Sequence, residues 1–263
     1  MRLRIFSQSN ALAGLRRTLG LLAGGLALTA CGAGHDADCL KSNGTVITQR
    51  RAVDRHLRNV VVYNNVDLTI VPDTATFAEV RAGENVIDDI TFTTPAGPQQ
   101  LVIANTSRCN WVRSYDTPRE VRLHVAHRIT NFTLEQRGYG LITTEGQWAQ
   151  DTLFLRLVST GDINMNVRST YLYTDHYDAG DMTLRGTAED FHPNLGSNGF
   201  LLASGLDTQH CYFLTYPNWI GDVHVRCHGN IGGTLNGTGR FFYTGNPLLI
   251  DVKGPNKANV FQE

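Results

Sequence analysis

Glycines recur at nearly constant spacing through the second half of the chain. The spacings are 21, 19, 19, 22 and 18 residues, and the glycines concerned are Gly140, Gly161, Gly180, Gly199, Gly221 and Gly239. A repeat of about twenty residues is a structural unit that cannot bury its apolar side until neighbouring units stack on it. We therefore expect a solenoid with one of these ladder glycines at each corner, where positive φ or a close backbone approach excludes a side chain.

The residues around the ladder glycines fall into register. Counting from each glycine, position minus eight is Phe132, Leu153, Leu172, Phe191, Phe213 and Ile231. Position plus two is Ile142, Ile163, Met182, Leu201, Val223 and Phe241, and plus four is Thr144, Met165, Leu184, Ala203, Val225 and Tyr243. Side chains in a strand alternate between its two sides. The pattern thus predicts two short strands flanking each glycine corner, with even offsets directed into the core.

The rest of the chain also favours an all-β fold. Residues 46–125 contain short β-prone runs separated by turn residues, and no useful helical period follows residue 31. Because no linker-like composition interrupts this region, we expect residues 46–263 to form one domain, with about six rungs in the C-terminal half and an N-terminal β-stranded part continuous with them. An antiparallel sandwich with evenly spaced turns is the alternative.

The first thirty residues have the features of a lipoprotein signal peptide. Four arginines precede the apolar run 19–30, which ends in Leu-Thr-Ala before Cys31. This ending resembles a lipobox, which implies cleavage before Cys31 and lipidation of its sulfur; a plain secretory peptide is the alternative. Residues 31–45 then form the lipidated cysteine and a flexible tether. Gly32 in place of an aspartate favours the outer membrane, so we expect a lipid-anchored protein of the bacterial cell envelope, facing the periplasm or the surface.

Removal of this segment leaves a mildly acidic protein. The whole chain has 23 basic and 24 acidic residues, and the four arginines before Cys31 reduce the basic count to 19. Nucleic-acid binding requires a concentrated basic face, so we expect no nucleic-acid partner.

Four cysteines follow Cys31, and export makes disulfides possible. Cys211 and Cys227 both have even offsets on one rung, where a bridge would staple that rung. We therefore predict the pairs Cys211 with Cys227 and Cys39 with Cys109. The competing use is metal ligation, but no C-x-x-C or comparable spacing supports it.

Motifs along the domain resemble one known family. In chain order they are the lipobox, Val60-Val61-Val62, Asp67-Leu68-Thr69-Ile70, the run 80–86, Leu101-Val102-Ile103, and the closing stretch 235–247 with its Tyr-x-Gly-x-Pro end. This order resembles the putative auto-transporter adhesin, head GIN domain family, over roughly residues 50 to 260. The resemblance implies a right-handed parallel β-helix-like solenoid on a secreted or lipid-anchored bacterial protein, with no established activity.

Odd offsets should face outward and are the candidate ligand-binding positions. Position minus seven gives Phe154, Tyr173, His192 and Leu214 on four consecutive rungs. Positions plus one and plus three add Phe200 and Leu202, followed by Phe242, and Tyr216 lies near the first set. An exposed aromatic stripe suits a glycan or a protein partner. The alternative is that other strands or a loop cover the stripe and make it a second core.

Catalysis has weaker support. Asp162 and Asp181 share position plus one on adjacent rungs, about 4.8 Å apart in a stack of strands, where they form a weak candidate Ca²⁺ site. An aspartate after a corner glycine is more often a solvated turn residue. No catalytic triad or nucleotide fingerprint stands out, so we expect no catalytic residue and no cofactor.

The expected function is a non-catalytic binding or adhesion module for a glycan or an envelope protein. The alternatives are a structural envelope protein that docks another subunit and, with less support, a β-helix polysaccharide lyase or hydrolase.

Overall fold

The computed structural model describes residues 42–107, 116–126 and 131–263. From Asn43 onward they belong to one compact unit, built on a sheet of seventeen strands with a 3-10 turn at Ile87–Asp89. The strands are β1 Val46–Ala52, β2 Asn59–Tyr63, β3 Asp67–Asp73, β4 Phe77–Gly83, β5 Ile90–Thr93, β6 Gln100–Asn105, β7 Arg119–Ala126, β8 Asn131–Gln136, β9 Leu141–Thr144, β10 Trp148–Leu157, β11 Asp162–His176, β12 Met182–Leu195, β13 Leu201–Thr215, β14 Asp222–Leu235, β15 Arg240–Thr244, β16 Leu249–Lys253 and β17 Val260–Gln262.

The C-terminal half is a parallel stack. Strands β10 to β14 are hydrogen-bonded each to the next, in chain order. Shorter parallel strands extend the stack on both sides, with β8 and β9 before it and β15, β16 and β17 after it. The predicted parallel β-helix-like solenoid is confirmed, and the antiparallel sandwich is wrong for this part of the chain. The described residues include no helix of the length and hydropathy needed to span a bilayer.

Each rung has two faces separated by its ladder glycine. We call the segment before the glycine the first face, as in β8 or residues 171–176 of β11. The segment after the glycine is the second face, as in β9 or residues 162–164 of β11. A further run of paired residues, which includes Trp148, Val167 and Gly186, closes each turn.

The N-terminal strands join the same sheet but do not stack in chain order. Strand β2 pairs in parallel with both β6 and β8, and β3 with both β7 and β9. The first rung of the chain therefore lies between two later ones. Strands β5 and β4 then add to β6 and β7 in antiparallel fashion, and β1 adds to β4. The N-terminal part is continuous with the solenoid, as predicted. Its antiparallel strands depart from a purely parallel β-helix, and they pair with the edges of β6 and β7 that would otherwise be open.

A close backbone approach, not positive φ, explains the ladder glycines. None of the six has φ in the left-handed region. A Cβ on Gly180 would overlap the carbonyl oxygen of Gly161, and one on Gly199 would overlap that of Gly180. The same relation continues through Gly221 and Gly239. Each corner therefore stacks directly on the one before it, in a space that no side chain can enter.

Polar side chains fill the inside of two of these corners. His176 Nε2 donates to the carbonyl oxygen of Gly180 at 2.6 Å, and Gln136 Nε2 donates to that of Gly140 at 2.7 Å. Both side chains are almost wholly buried, and both pair in register with Leu157, from opposite sides. They give the corner carbonyl groups a hydrogen-bond donor inside the core, and the Gly140 carbonyl also accepts from the backbone N–H of Asp162 at 3.2 Å.

The predicted inward columns are the core. Every residue at minus eight and plus two is buried, and at plus four only Thr144 and Tyr243 are half-buried instead. The fifth rung departs in one respect. Phe191 pairs with Cys211 and Cys211 with Ile231, so Cys211 continues the minus-eight column while Phe213 lies two residues further along. Thr215 pairs with Leu195 and Leu235, yet it lies six residues before its ladder glycine and they lie four before theirs. The shift of two positions therefore arises in the connection 216–220, between β13 and Gly221.

The predicted bridge between Cys211 and Cys227 is wrong. Both cysteines are buried free thiols. In the parallel ladder Cys211 aligns with Ile231 and Cys227 with Thr208, so the two cysteines occupy different positions along adjacent rungs. The backbone N–H of Cys211 hydrogen-bonds to the thiol of Cys227, so the two residues are neighbours whose sulfur atoms are not joined. The other predicted positions, namely Cys31, Cys39, Cys109 and the leader, lie outside the described residues.

Candidate functional site

The first face carries a row of stacked rings. Phe154, Tyr173, His192 and Tyr212 come from four consecutive strands, β10 to β13, and we call them the aromatic lane. Their ring centroids are separated by 4.9, 4.7 and 5.6 Å in that order. The first two pairs are nearly parallel, with interplanar angles of 13° and 17°. These spacings follow from the rung repeat, since neighbouring strands lie about 4.8 Å apart.

Tyr212 takes the place that the sequence assigned to Leu214. Because the connection between β13 and Gly221 is two residues longer than the connections before Gly199 and Gly239, Leu214 pairs with Asn194 and Thr234, two positions further along the rung than expected. Leu214 still faces outward and is exposed, as its parity predicted. The 22-residue spacing between Gly199 and Gly221 was the available sign of this shift.

The aromatic lane lies at the surface. Phe154, Tyr173 and His192 are half-buried, and Tyr212 is 40% exposed. None of the four belongs to the buried core of the described residues. If other strands covered the lane and made it a second core, its four side chains would be fully buried. Within the described part of the chain they are accessible to solvent, so the interpretation as an exposed stripe applies.

Polar side chains border the lane on the side toward the C-terminal end of each strand. Arg156 donates to Asp175 Oδ2 and to Glu135 Oε2, both at 3.1 Å. Asn194 donates to Asp175 Oδ1, also at 3.1 Å. These residues stack on successive rungs, each two positions after a lane residue or its equivalent. The network fixes the first face and places charged and amide groups alongside the rings.

A groove interrupts the lane at Gly232. Tyr212 pairs in register with Gly232, which pairs with Asp251 on β16, so the next rung has no ring at this position. The groove has a volume of about 530 Å³. Its lining residues are Tyr173, His192, Asn194, Tyr212, Phe213, Leu214, Asn230, Ile231, Gly232, Gly233, Thr234, Leu249, Asp251 and Lys253. It therefore combines an aromatic wall with amide and hydroxyl groups.

The charges at the groove nearly cancel. Lys253 Nζ lies 3.5 Å from Asp251 Oδ2 at the rim. Burial lowers the pKa of His192, against a weaker raising effect of Asp190. At neutral pH His192 is therefore an uncharged aromatic member of the lane, and the groove suits a neutral ligand.

The second face carries a second row of four residues, three of which are apolar. Leu202, His224, Phe242 and Phe261 occupy matching positions on β13, β14, β15 and β17. The rings of His224 and Phe242 stack at 4.8 Å, and those of Phe242 and Phe261 lie 5.5 Å apart. Phe200 lies close by and is exposed. The structure thus separates the predicted ligand-binding residues into two surfaces.

Tyr216 belongs to neither row. Its ring meets that of Tyr177 edge to face at 5.7 Å, beside a shallow depression that Gly196 and Asn218 also line. The predicted grouping of Tyr216 with the aromatic lane is therefore not found.

The two candidate calcium-binding aspartates have structural partners. Asp162 Oδ1 accepts a hydrogen bond from the backbone N–H of Asp181 at 2.8 Å, and Asp181 Oδ1 accepts one from that of Phe200 at 2.9 Å. Each carboxylate therefore ties its own corner to the next rung, which is the role of a turn residue. The described residues contain no group of three or more histidine, cysteine or acidic side chains arranged to hold a metal ion.

Comparison with solved structures identifies related solenoids. A putative adhesin from Bacteroides fragilis superposes with a TM-score of 0.71 at 15% identity, covering 84% of this chain and 99% of its own. A putative adhesin from Parabacteroides distasonis gives 0.62 at 15% identity, with coverages of 84% and 98%. A putative lipid binding protein from the same species gives 0.60 at 15% identity, with coverages of 85% and 100%. At these identities the likeness concerns the fold.

The sequence itself matches a family model. No curated protein matches the chain. The model for the putative auto-transporter adhesin, head GIN domain, matches residues 56–247, which is most of the solenoid described above. The chain belongs to this family.

Proposed function

We propose that this protein is a non-catalytic carbohydrate-binding module of the bacterial cell envelope, and that the aromatic lane and its groove bind the glycan. The observation that carries the proposal is the lane itself, a row of rings at the surface bordered by amide, hydroxyl and charged side chains. Rings at a surface offer large apolar contact area at fixed geometry, and polar neighbours supply direction.

The chemistry of the lane favours a sugar over a purely apolar ligand. A pyranose has one face of C–H groups, which packs on an aromatic ring, and a rim of hydroxyls that require hydrogen-bond partners. Asn194, Asn230 and Thr234 supply amide and hydroxyl groups at the groove. A lipid chain would leave such polar groups without partners.

The absence of a catalytic role is part of the proposal. Asp162 and Asp181, the acidic pair considered from the sequence, each accept a backbone hydrogen bond from the next rung. The names of the relatives agree with binding, since two are putative adhesins and a third is a putative lipid binding protein.

Envelope location rests on the leader. The lipobox-like sequence before Cys31 would place a lipid anchor on the membrane side of a short tether. Mass spectrometry of the membrane-extracted protein should find acyl chains on Cys31, and C31S should move the protein to the soluble fraction. An unlipidated Cys31 in the mature protein would overturn this part of the proposal.

Glycan binding is tested by disrupting the lane. We expect a labelled glycan array to detect binding of neutral oligosaccharides by the folded protein, and Tyr173→Ser with Phe154→Ser to weaken it. The matched control is Tyr139→Ser, which removes an exposed ring that belongs to neither row. Binding unchanged in the folded lane variants, or the absence of any glycan ligand for the wild type, would refute the proposal.

The second face favours a further candidate function, docking to another envelope protein. Three members of its row, Leu202, Phe242 and Phe261, are apolar, while His224 pairs with Glu263 at 3.1 Å. Arg240 borders the row, with its guanidinium over the ring of Phe242 at 5.3 Å. Aromatic and arginine side chains are enriched in protein interfaces. Cross-linking from this face in intact cells, compared with cross-linking from the aromatic lane, distinguishes the two functions.

A further inference from the structure

Gly232 differs from the glycines that the backbone requires. Its φ is outside the left-handed region, and a Cβ there would have as its nearest neighbour the ring atom Cδ1 of Tyr212, at 3.2 Å. That ring is exposed and can rotate away. The adjacent Gly233, in contrast, would place a Cβ into the backbone carbonyl of Phe213. The fold therefore dictates glycine at 233 but accepts a side chain at 232.

The glycine at 232 nevertheless leaves a gap in an otherwise continuous lane. Tyr173 is enclosed by Phe154 at 4.9 Å on one side and by His192 at 4.7 Å on the other. Tyr212 has His192 at 5.6 Å on the side of β12 and His210 at 5.9 Å on its own strand, while its register partner on the side of β14 is Gly232. Tyr212 is thus the lane residue whose ring borders a position without a side chain.

The gap opens into the groove. Asn230 and Thr234 lie two residues before and after Gly232 on the outward side of β14, so they border the gap along the strand. Beyond it lies β16, where Asp251 and Lys253 form an ion pair. An aromatic wall on one side, amide and hydroxyl groups along the strand, and a charge-balanced rim together match the C–H face and the hydroxyls of one neutral sugar ring.

We propose that the gap at Gly232 is the subsite that receives a single pyranose ring of a neutral glycan, stacked on Tyr212 in the place that the next aromatic side chain of the lane would occupy. This subsite rests on the proposed carbohydrate-binding function and adds its specificity-determining residues, Tyr212 and Gly232. The other rings of the lane stack on one another and on Tyr212, so they support the Tyr212 ring on the side away from the gap.

Filling the gap tests the subsite. Gly232→Phe would extend the lane by one ring and exclude the sugar, and we expect the affinity for labelled neutral oligosaccharides to fall at least about tenfold, near the upper end of what the stacking of one ring contributes. Tyr212→Ala removes the wall without filling the gap and should reduce affinity roughly threefold to tenfold. Tyr139→Ala, which removes an exposed ring that does not line the groove, is the control that should leave affinity unchanged.

The outcomes separate the subsite from the function on which it rests. Binding by the wild type that survives both Gly232→Phe and Tyr212→Ala, in variants with wild-type circular dichroism, would overturn the subsite while leaving carbohydrate binding in place. No binding by the wild type would refute the function and the subsite together. If Gly232→Phe does not fold, Tyr212→Ala decides the question alone. A polyuronate in the same assay tests charge, and equal affinity for it would contradict a neutral sugar.

Discussion

The carbonyl oxygen of Gly161 occupies the space that a Cβ on Gly180 would need. The relation repeats along the stack, so each corner of the solenoid is in direct backbone contact with the corner before it. The regular glycine spacing in the sequence thus corresponds to a row of stacked corners whose backbones are in direct contact.

Gly180→Ala should therefore destabilise the protein strongly. The added methyl group meets backbone, which cannot rotate away as a side chain can, so two rungs must separate locally. We expect a loss of about 3 kcal/mol in the free energy of unfolding, at the upper end of the usual cost of overpacking. Chemical denaturation followed by circular dichroism measures it. Gly232→Ala is the matched control and should cost less than about 1 kcal/mol, since its nearest neighbour is the movable ring of Tyr212. Equal losses in the two variants would contradict the explanation.

His176 should make the protein sensitive to acid. Burial lowers its pKa below the ordinary 6.5, and the weaker effects of the Gly180 carbonyl, Asp181 and Asp178 oppose this shift. In the unfolded chain the imidazole becomes protonated as the pH falls through about 6.5, whereas in the folded protein it stays neutral to a lower pH. The unfolded state then binds more protons, so the contribution of His176 to stability is complete above pH 6.5 and is lost as pH falls through the folded-state pKa.

His176→Gln tests this assignment with little structural change. Gln136, two rungs away in the same column, already makes the equivalent hydrogen bond to its own corner glycine. We expect the variant to stay within about 1 kcal/mol of the wild type at neutral pH. Its stability should decline less steeply between pH 7 and pH 5, as measured by urea denaturation at each pH. Parallel pH profiles for the two proteins would exclude His176 as a source of the acid sensitivity.

Cys211 and Cys227 should be unreactive in the folded protein. Burial raises the pKa of both thiols, and the effect is larger at Cys211. The reactive species is the thiolate, and both sulfur atoms lie in the core, so alkylation should be slow until the protein is denatured. Mass spectrometry of tryptic peptides can follow each cysteine separately because cleavage after Arg226 divides them. A disulfide-linked pair of these peptides from unreduced protein would contradict the free thiols of the structure.

Much of the core was predictable because a repeat constrains every copy at once. Phe132, Leu153 and Leu172 fill the same position on successive rungs, so their shared offset from a ladder glycine was enough to place them inside. The outward parity of Phe154, Tyr173 and His192 followed from the same count. These predictions need only the two-residue period of a strand and a stacking repeat.

Residues at irregular rungs were less predictable. The sequence count placed Leu214 in the aromatic lane, whereas the two additional residues between β13 and Gly221 put Tyr212 there. The order of the N-terminal strands was also hidden, because β2 and β3 pair with strands far away on both sides. A spacing in the sequence does not specify where in a rung extra residues are absorbed, since that depends on which hydrogen bonds the neighbouring strand offers.

The sequence by itself determined the solenoid, its glycine corners and the inward or outward direction of most side chains, because strand periodicity and corner geometry are local and recur in every repeat. Tertiary structure alone decided that the ladder glycines are required by backbone contact between rungs, that Cys211 and Cys227 are free thiols with different register partners, and that Gly232 opens a groove beside Tyr212. These properties depend on the register between neighbouring rungs. That register is set by long-range strand pairing, and no single repeat contains it.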